Sequence, residues 1–399
     1  VLRSPDGVVR HLALLLAGLS MACAGGRPVA MPAPTPRVEP LPVSLALRRI
    51  APRAIDVAPD RRMTVCAGGD VMLGSNLDPS WLRRAQTITG SPTPMPDPNE
   101  LIAPLEPLVA DADVVLVNVE GAIGEGPAPA KCRPGSQRCY AFRQDPSAAY
   151  ALRKLAPHAE VVGNVANNHA MDAGPPGLAQ TAHHLSQAGV HVVGLDTLPT
   201  LIPLSAGDTL AVLGFSVFSA GPDARDLTAV ARHVRRAARH HARVVVSMHV
   251  GAEGIGAQRT SAVTERFAGE DRGNPVAIAH TAIDAGADLV IGHGPHVLRA
   301  VEWRGTGLVA YSLGNLLTYG PFSRVPPLDR GTVLCAVLEP DGAIAQADLR
   351  ATHQVTPGLA YPDASHAAFA LVDSLGALDF PATAASVFAG MLRRPSGAH

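Results

Sequence analysis

The chain has 399 residues, 47% of them hydrophobic and 17% charged, which is enough for one large or two ordinary domains with a sizeable core and excludes a chain that is disordered throughout. With 33 Lys and Arg against 34 Asp and Glu, the formal net charge is -1, which excludes bulk attraction to nucleic acid or to an acidic membrane. Aromatic residues make up only 4%, too few for a base-stacking surface, so nucleic acid is not an expected partner.

Arg3 and Arg10 flank the start of an apolar run, Leu12 to Leu19, that is too short to span a bilayer. Ser20-Met21-Ala22-Cys23 follows, small residues before a cysteine that resemble a bacterial lipobox, although Ser20 stands where Leu is usual. Residues 1–23 are therefore expected to be an export signal, with Cys23 lipidated after cleavage or, alternatively, simple secretion. The protein is then expected in the cell envelope, lipid-anchored or periplasmic or extracellular, touching membrane only through the anchor. Residues 24–60 carry Pro28, Pro32, Pro34, Pro36, Pro40 and Pro42, which prevent a stable helix or central strand and predict a tether. Cys132 and Cys139 bracket a polar loop that a disulfide can close in an exported protein. Cys66 and Cys335 lie in apolar runs and read as small buried hydrophobes.

The folded part begins near Met63. Thr64 to Gly69 reads as a strand ending at Asp70, Leu101 to Ala110 as a short helix, and Val114 to Val117 as a strand ending at Asn118 and Glu120. A helix over Ser147–Leu155 precedes a strand from Glu160 to Gly163, which leads into Asn167-Asn168-His169. A helix over Gly177–Gly189, strands over Val190–Val193 and Leu210–Val217, and a helix over Leu227–His241 come next. The strand Arg243–Met248 ends at His249, the helix Pro275–Gly286 follows, and the strand Asp288–Ile291 ends at Gly292-His293. Leu308–Tyr311 and Gly331–Leu338 are later strands. The alternation predicts an α/β class, with a main domain over 61–355 and a helical extension with a frayed tail over 356–399.

In open α/β sheets, ligands bind beyond the carboxyl ends of strands. Here separate strand ends deliver Asp70, Glu120, Asn168, His249, His293 and His296. Carboxylate and amide oxygens suit hard divalent ions, and imidazole suits Zn, Mn and Fe, so the set points to one or two such ions. A two-metal site of this composition activates water for an in-line displacement. His169 is placed to protonate a leaving group. Asn118, Asn167, Glu253, Ser312 and Asn315 are expected to line the pocket or brace the ligands. His183, His184, His233, His240 and His241 read as solvated helix faces. No G-x-S-x-G elbow, dinucleotide fingerprint or P-loop is present.

Together these segments resemble the bacterial capsule synthesis CapA family, linked to poly-gamma-glutamate and itself similar to the calcineurin-like metallophosphoesterases. The resemblance rests on Gly69-Asp70-Val71-Met72-Leu73-Gly74, Asn118-Val119-Glu120-Gly121, Ala166 to Gly174, His249 to Glu253, Gly286 to Val297 and Tyr311 to Asn315, in that order. It implies a four-layer α/β/β/α sandwich of two mixed sheets, with Asp70, Glu120, Asn168, His249, His293 and His296 at the metal and His169 as the catalytic histidine. Against the wider phosphoesterases, Met72 stands where a histidine would be, Asn118 and Glu120 replace a Gly-Asp pair, and His293 and His296 are separated by two residues rather than one. Within the CapA family, Val250 and Leu316 stand where aromatic residues are common. The implied function is a surface-tethered, metal-dependent hydrolase of a polyanionic envelope polymer, with partners in a membrane synthesis complex. Two alternatives stay open, a non-catalytic polymer-binding or export factor and an exported phosphatase or nucleotidase. Simple polyanion binding would call for Arg and Lys in the pocket rather than Asn and His.

Overall fold

The computed structural model describes residues 61–75, 87, 96–126, 140–204, 209–320 and 322–395. The expected signal, Cys23, the Pro-rich tether and the Cys132–Cys139 loop lie outside them.

Two sheets form the body. The large one, of ten strands, has the order Ser386–Phe388, Met391–Arg393, Ile344–Val355, Arg330–Leu338, Met63–Met72, Val114–Val119, Glu160–Asn164, Val190–Val193. Asn315–Thr318 also pairs with Met63–Met72, and Leu359–Pro362 with Ile344–Val355. The smaller sheet has the order Val301–Arg304, Gly307–Ala310, Leu289–His293, Arg243–His249, Thr209–Ser216, Thr200–Pro203. Both are mixed: Met63–Met72 runs parallel to Val114–Val119 and antiparallel to Arg330–Leu338.

Alternation along the strands sorts side chains into three cores. Val114 and Leu116 face inward, where they meet Val245, Leu289 and Ile291 of the smaller sheet. Val115 and Val117 face outward, onto Leu101, Leu152 and Leu185 of three helices, Pro98–Ile102, Ser147–Lys154 and Gly174–Gln187. On the far side, Val244, Val246 and Val290 pack on Val230, Val234 and Ile278 of the helices Leu227–Ala238 and Pro275–Asp284. The layers are therefore α/β/β/α. Strands covered on both faces need the near-continuous Val, Ile and Leu runs that the sequence carries. No helix among the described residues is long and apolar enough to cross a membrane.

Three details depart from expectation. Leu101–Ala110 is not one helix: a five-residue α-helix, Pro98–Ile102, passes into a 3-10 turn at Ala103–Leu108, where Pro104 and Pro107 remove backbone donors. The C-terminal segment forms its helix at Ala367–Asp379, but the following stretch is not frayed at Arg393. The Ser386–Phe388 and Met391–Arg393 hairpin adds to the edge of the large sheet, and Phe369, Val372 and Leu392 enter the inner core. Cys66 and Cys335 are not independent buried thiols. They sit opposite each other on antiparallel strands, with Cα atoms 4.0 Å apart, and form a disulfide.

Candidate metal centre

Six strands deliver the site residues: β1 (Met63–Met72), β2 (Val114–Val119), β3 (Glu160–Asn164), β4 (Arg243–His249), β5 (Leu289–His293) and β6 (Asn315–Thr318). Register does the gathering. Asn164, Asn118, Asp70 and Asn315 are successive partners across the large sheet, and His249 is the partner of His293 in the smaller one. A row of amides and a carboxylate thus faces a pair of imidazoles. The crossing is tight. A Cβ on Gly69 would lie 2.0 Å from the Gly314 carbonyl oxygen, and one on Gly294, whose φ is +106°, would lie 3.0 Å from His249 Nε2.

Asp70 is fully buried. Its Oδ1 accepts from Asn118 Nδ2 at 2.8 Å, and its Oδ2 lies 3.0 Å from His296 Nδ1. Asn118 Nδ2 also reaches His249 Nδ1 at 3.2 Å, while its Oδ1 accepts from Asn164 at 3.0 Å and Asn167 at 3.1 Å. His296 Nδ1 is 3.0 Å from Asn315 Oδ1 as well, so this nitrogen carries a proton shared between two acceptors. The ring is held there although His296 has φ +58°, an uncommon backbone state for a non-glycine residue. His296 Nε2 faces Glu120 Oε1 at 3.6 Å and Glu253 Oε2 at 4.0 Å. His293 Nδ1 lies 3.7 Å from Asp70 Oδ1, and His249 Nε2 lies 3.9 Å from Glu120 Oε1.

Charge follows from this packing. Burial alone would raise the Asp70 carboxyl, but the hydrogen bond and charge of His296, with His293 and His249 nearby, hold it well below the usual carboxylate range. Burial alone would lower His296, but Glu120, Asp70 and Glu253 outweigh it and hold the ring protonated well above its usual range. Burial pushes His249 down to about 3 and His293 down to about 4, so both rings are neutral at pH 7, each with one lone-pair nitrogen.

These residues fit a divalent cation. Both ring nitrogens of His293 and Nε2 of His249 are buried without a hydrogen-bond partner, a costly state that a bound cation relieves. Asp70, Glu120 and His296 each place one donor atom within 4.8 Å of the others. Asn168 follows Asn167 in the turn, with its amide oxygen buried. Met72 lies in the outer core with its sulfur accepting from the Gly74 N–H, so a core side chain occupies the position of the missing first histidine.

Beside the cluster, His169 Nδ1 lies 2.6 Å from Asp172 Oδ2, and Asp172 also accepts from the Phe142 N–H at 2.7 Å. The Phe142 ring packs 4.4 Å from the imidazole, whose side chain is 10% exposed. Glu253 is held by Arg272, whose guanidinium lies over the faces of Phe218 and Phe267 at 4.7 and 5.2 Å and also pairs with Glu270. Buried Arg299 forks onto both oxygens of Glu265, which in turn accepts from the Ala252 N–H, and this fixes the loop that carries Glu253. Ser312 accepts from the Gly314 N–H and braces the turn between Tyr311 and Asn315. The five histidines read as solvated lie on or just after the helices Gly174–Gln187 and Leu227–Ala238, exposed or half-buried.

Sequence reasoning missed Asn164, Asp172 and Arg272. Asp172 had a signal, a carboxylate three residues after His169. Asn164 was marked only by ending a strand beside another Asn-bearing end. Arg272 had none, because its link to Glu253 depends on how a loop of some twenty residues folds back.

The fold and site define a four-layer α/β protein with a carboxylate, amide and imidazole centre at its strand ends. Over residues 64–319 the chain matches the family described as bacterial capsule synthesis protein PGA_cap, and it belongs to that family. It is 29% identical over 303 residues to a protein of Mycobacterium tuberculosis named a probable polyglutamine synthesis accessory protein, covering 64% of this chain and 74% of that one. It is also 29% identical over 170 residues to the PGA biosynthesis protein CapA of Bacillus subtilis, covering 39% of this chain and 41% of the other. Among solved structures, the 5'-nucleotidase precursor of Thermus thermophilus aligns with a TM-score of 0.38 and 16% identity, over 80% of this chain and 60% of that one.

Proposed function

We propose that this protein is an exported, metal-dependent hydrolase acting on the polyanionic polymer of capsule or poly-gamma-glutamate metabolism. The observation that carries this reading is the set of unpartnered, buried nitrogens on His249 and His293 beside the carboxylates of Asp70 and Glu120. Asp70, Glu120, His249, His293 and His296 would hold the ion or ions, with Asn168 assigned to them by its motif. A divalent cation there supplies Lewis acidity and a nucleophile at neutral pH.

The chain's own residues do the rest. Asp172 accepts a hydrogen bond from His169 Nδ1–H, which fixes the ring and stabilises its imidazolium; in that doubly protonated form the Nε2–H would be the proton given to the leaving group, after which the ring is left neutral. Phe142 covers one face of that ring and keeps water from it. Arg272 holds one oxygen of Glu253 so that the other stays directed at His296. The Cys66–Cys335 disulfide supports an oxidising compartment, in keeping with export through the segment that ends at Cys23.

The test is elemental analysis of the full chain beside His293→Ala and Asp70→Ala, followed by incubation of each with poly-gamma-glutamate and sizing of the products. Near-stoichiometric Mn, Zn or Fe that vanishes in both variants, with chain shortening that stops in a metal-retaining His169→Ala variant, supports the reading. A parent that takes up none of these ions refutes it and leaves a polymer-binding role.

A further inference from the structure

The helix Leu227–Ala238 buries Val230, Val234 and Ala237 against the smaller sheet. Arg232, Arg235, Arg236 and Arg239 are spaced i, i+3, i+4 and i+7, so they line one stripe of its opposite face, and all four are exposed. The stripe spans about 10 Å at about 1.5 Å of rise per residue. From Leu227 to His249 the sequence contains no Asp or Glu. Among the described residues no carboxylate pairs with any of the four, whereas Arg225, Arg304 and Arg350 each hold an aspartate. Among the described residues, the side-chain hydrogen bond recorded for the stripe is Arg232 with His233 Nε2 at 3.3 Å.

This is an uncompensated positive surface on a chain whose net charge is -1. Like charges at i, i+4 destabilise a helix, and the helix dipole favours only those in the last turn. His233 reports the same field: burial, then Arg232 and Arg236, push its pKa down. The apolar face of the helix is already spent on the core, so it has nothing to insert into a bilayer. The stripe carries no aromatic residue, so it has no platform for stacked bases. What it offers is a row of guanidinium forks, which match carboxylates.

We propose that the Arg232–Arg239 stripe is a docking surface for a polycarboxylate chain, separate from the strand-end pocket. The identity of that chain as the capsule polymer rests on the function proposed above; the existence of the surface does not. The stripe supplies the arginines that polyanion binding calls for and places them outside the pocket.

The experiment measures binding of fluorescein-labelled poly-gamma-glutamate to the full chain by anisotropy, at low and at physiological salt. The parent is compared with a variant carrying Arg232→Gln, Arg235→Gln, Arg236→Gln and Arg239→Gln, and with His293→Ala. Circular dichroism checks that each is folded. The expected result is a tenfold or greater loss of affinity and a flattened salt dependence in the four-site variant, with parent-like binding in His293→Ala. Equal affinity in the four-site variant and the parent overturns the proposal, as does no binding by the parent, or a loss confined to His293→Ala. Phosphatidylglycerol vesicles are the control: vesicle binding lost in the four-site variant, with polymer binding intact, would assign the stripe to lipid and overturn the proposal too. Metal uptake and polymer shortening are read separately, so hydrolysis can fail while docking stands, and docking can fail while hydrolysis stands.

Discussion

Asp288 offers a test of the scaffold that leaves the site untouched. It precedes β5, whose other end delivers His293. Its Oδ2 accepts from the Val244 N–H at 2.7 Å, which ties the starts of β4 and β5 together. Burial, with a smaller push from Asp341, raises its carboxyl to about 7, against the opposing pull of the Val244 N–H and Arg243. In the unfolded chain the same group titrates near ~4. Below ~4 both states are protonated and no penalty exists. Between ~4 and ~7 the unfolded chain loses its proton first, so stability falls as pH rises, and above ~7 the penalty is complete. Three decades at about 1.4 kcal/mol each make it at most about 4 kcal/mol. Asp288→Asn keeps the acceptor oxygen and removes the charge. Urea unfolding at several pH values should show a difference of no more than about 1 kcal/mol near pH ~4.5, with the variant more stable by up to about 4 kcal/mol near pH ~8. A difference that does not change with pH, or a variant weakened at high pH, would refute the assignment.

Two further outcomes follow from single contacts. The Cys66–Cys335 disulfide joins residues 269 apart in sequence, and chain entropy assigns such a loop about 6 kcal/mol. The Cys66→Ala/Cys335→Ala variant should therefore unfold at clearly lower urea than the oxidised parent, and coincident midpoints would mean that the bridge does not constrain the chain. Arg272→Lys keeps the charge but loses the fork that grips Glu253 while pairing with Glu270. Calorimetric titration should show Mn binding weakened by about 10- to 100-fold. The same substitution should change nothing in a chain that already carries Glu253→Gln; equal losses in both backgrounds would make Arg272 a packing residue only.

The α/β alternation and most site-bearing strand ends were visible in the sequence because buried parallel strands must be written as apolar runs, and the runs stop where Asp70, Asn118, His249 and His293 begin. Other features were not visible, each for a physical reason. Asn315–Thr318 pairs with β1 only through a kink at Asp70 that no periodicity records. The Cys66–Cys335 bridge depends on register between strands far apart in sequence, and two thiols in apolar runs look alike whether bonded or free. The C-terminal hairpin has only three residues on each side, Ser386–Phe388 and Met391–Arg393, too short for a two-residue alternation to register in the sequence. Arg272 and Asp172 act through contacts made by loops, where composition constrains little.

Near-zero net charge conceals two opposed regions. The pocket gathers Asp70, Glu120 and Glu253 around one protonated imidazole, and without a cation it would repel a polyanion. The arginine stripe lies on the outer face of the Leu227–Ala238 helix, whose inner face packs on the strand that ends at His249. A polycarboxylate held on that face is concentrated near the protein whatever the state of the pocket, because its counter-charge is built into the helix. Under the proposed function, entry into the pocket would depend on a bound cation reversing the local sign. If both proposals hold, two regions of this kind would let affinity for the polymer and reaction with it vary separately. The expected outcome is that chelation would remove hydrolysis but not binding, and that added salt would weaken binding before it reaches the buried centre.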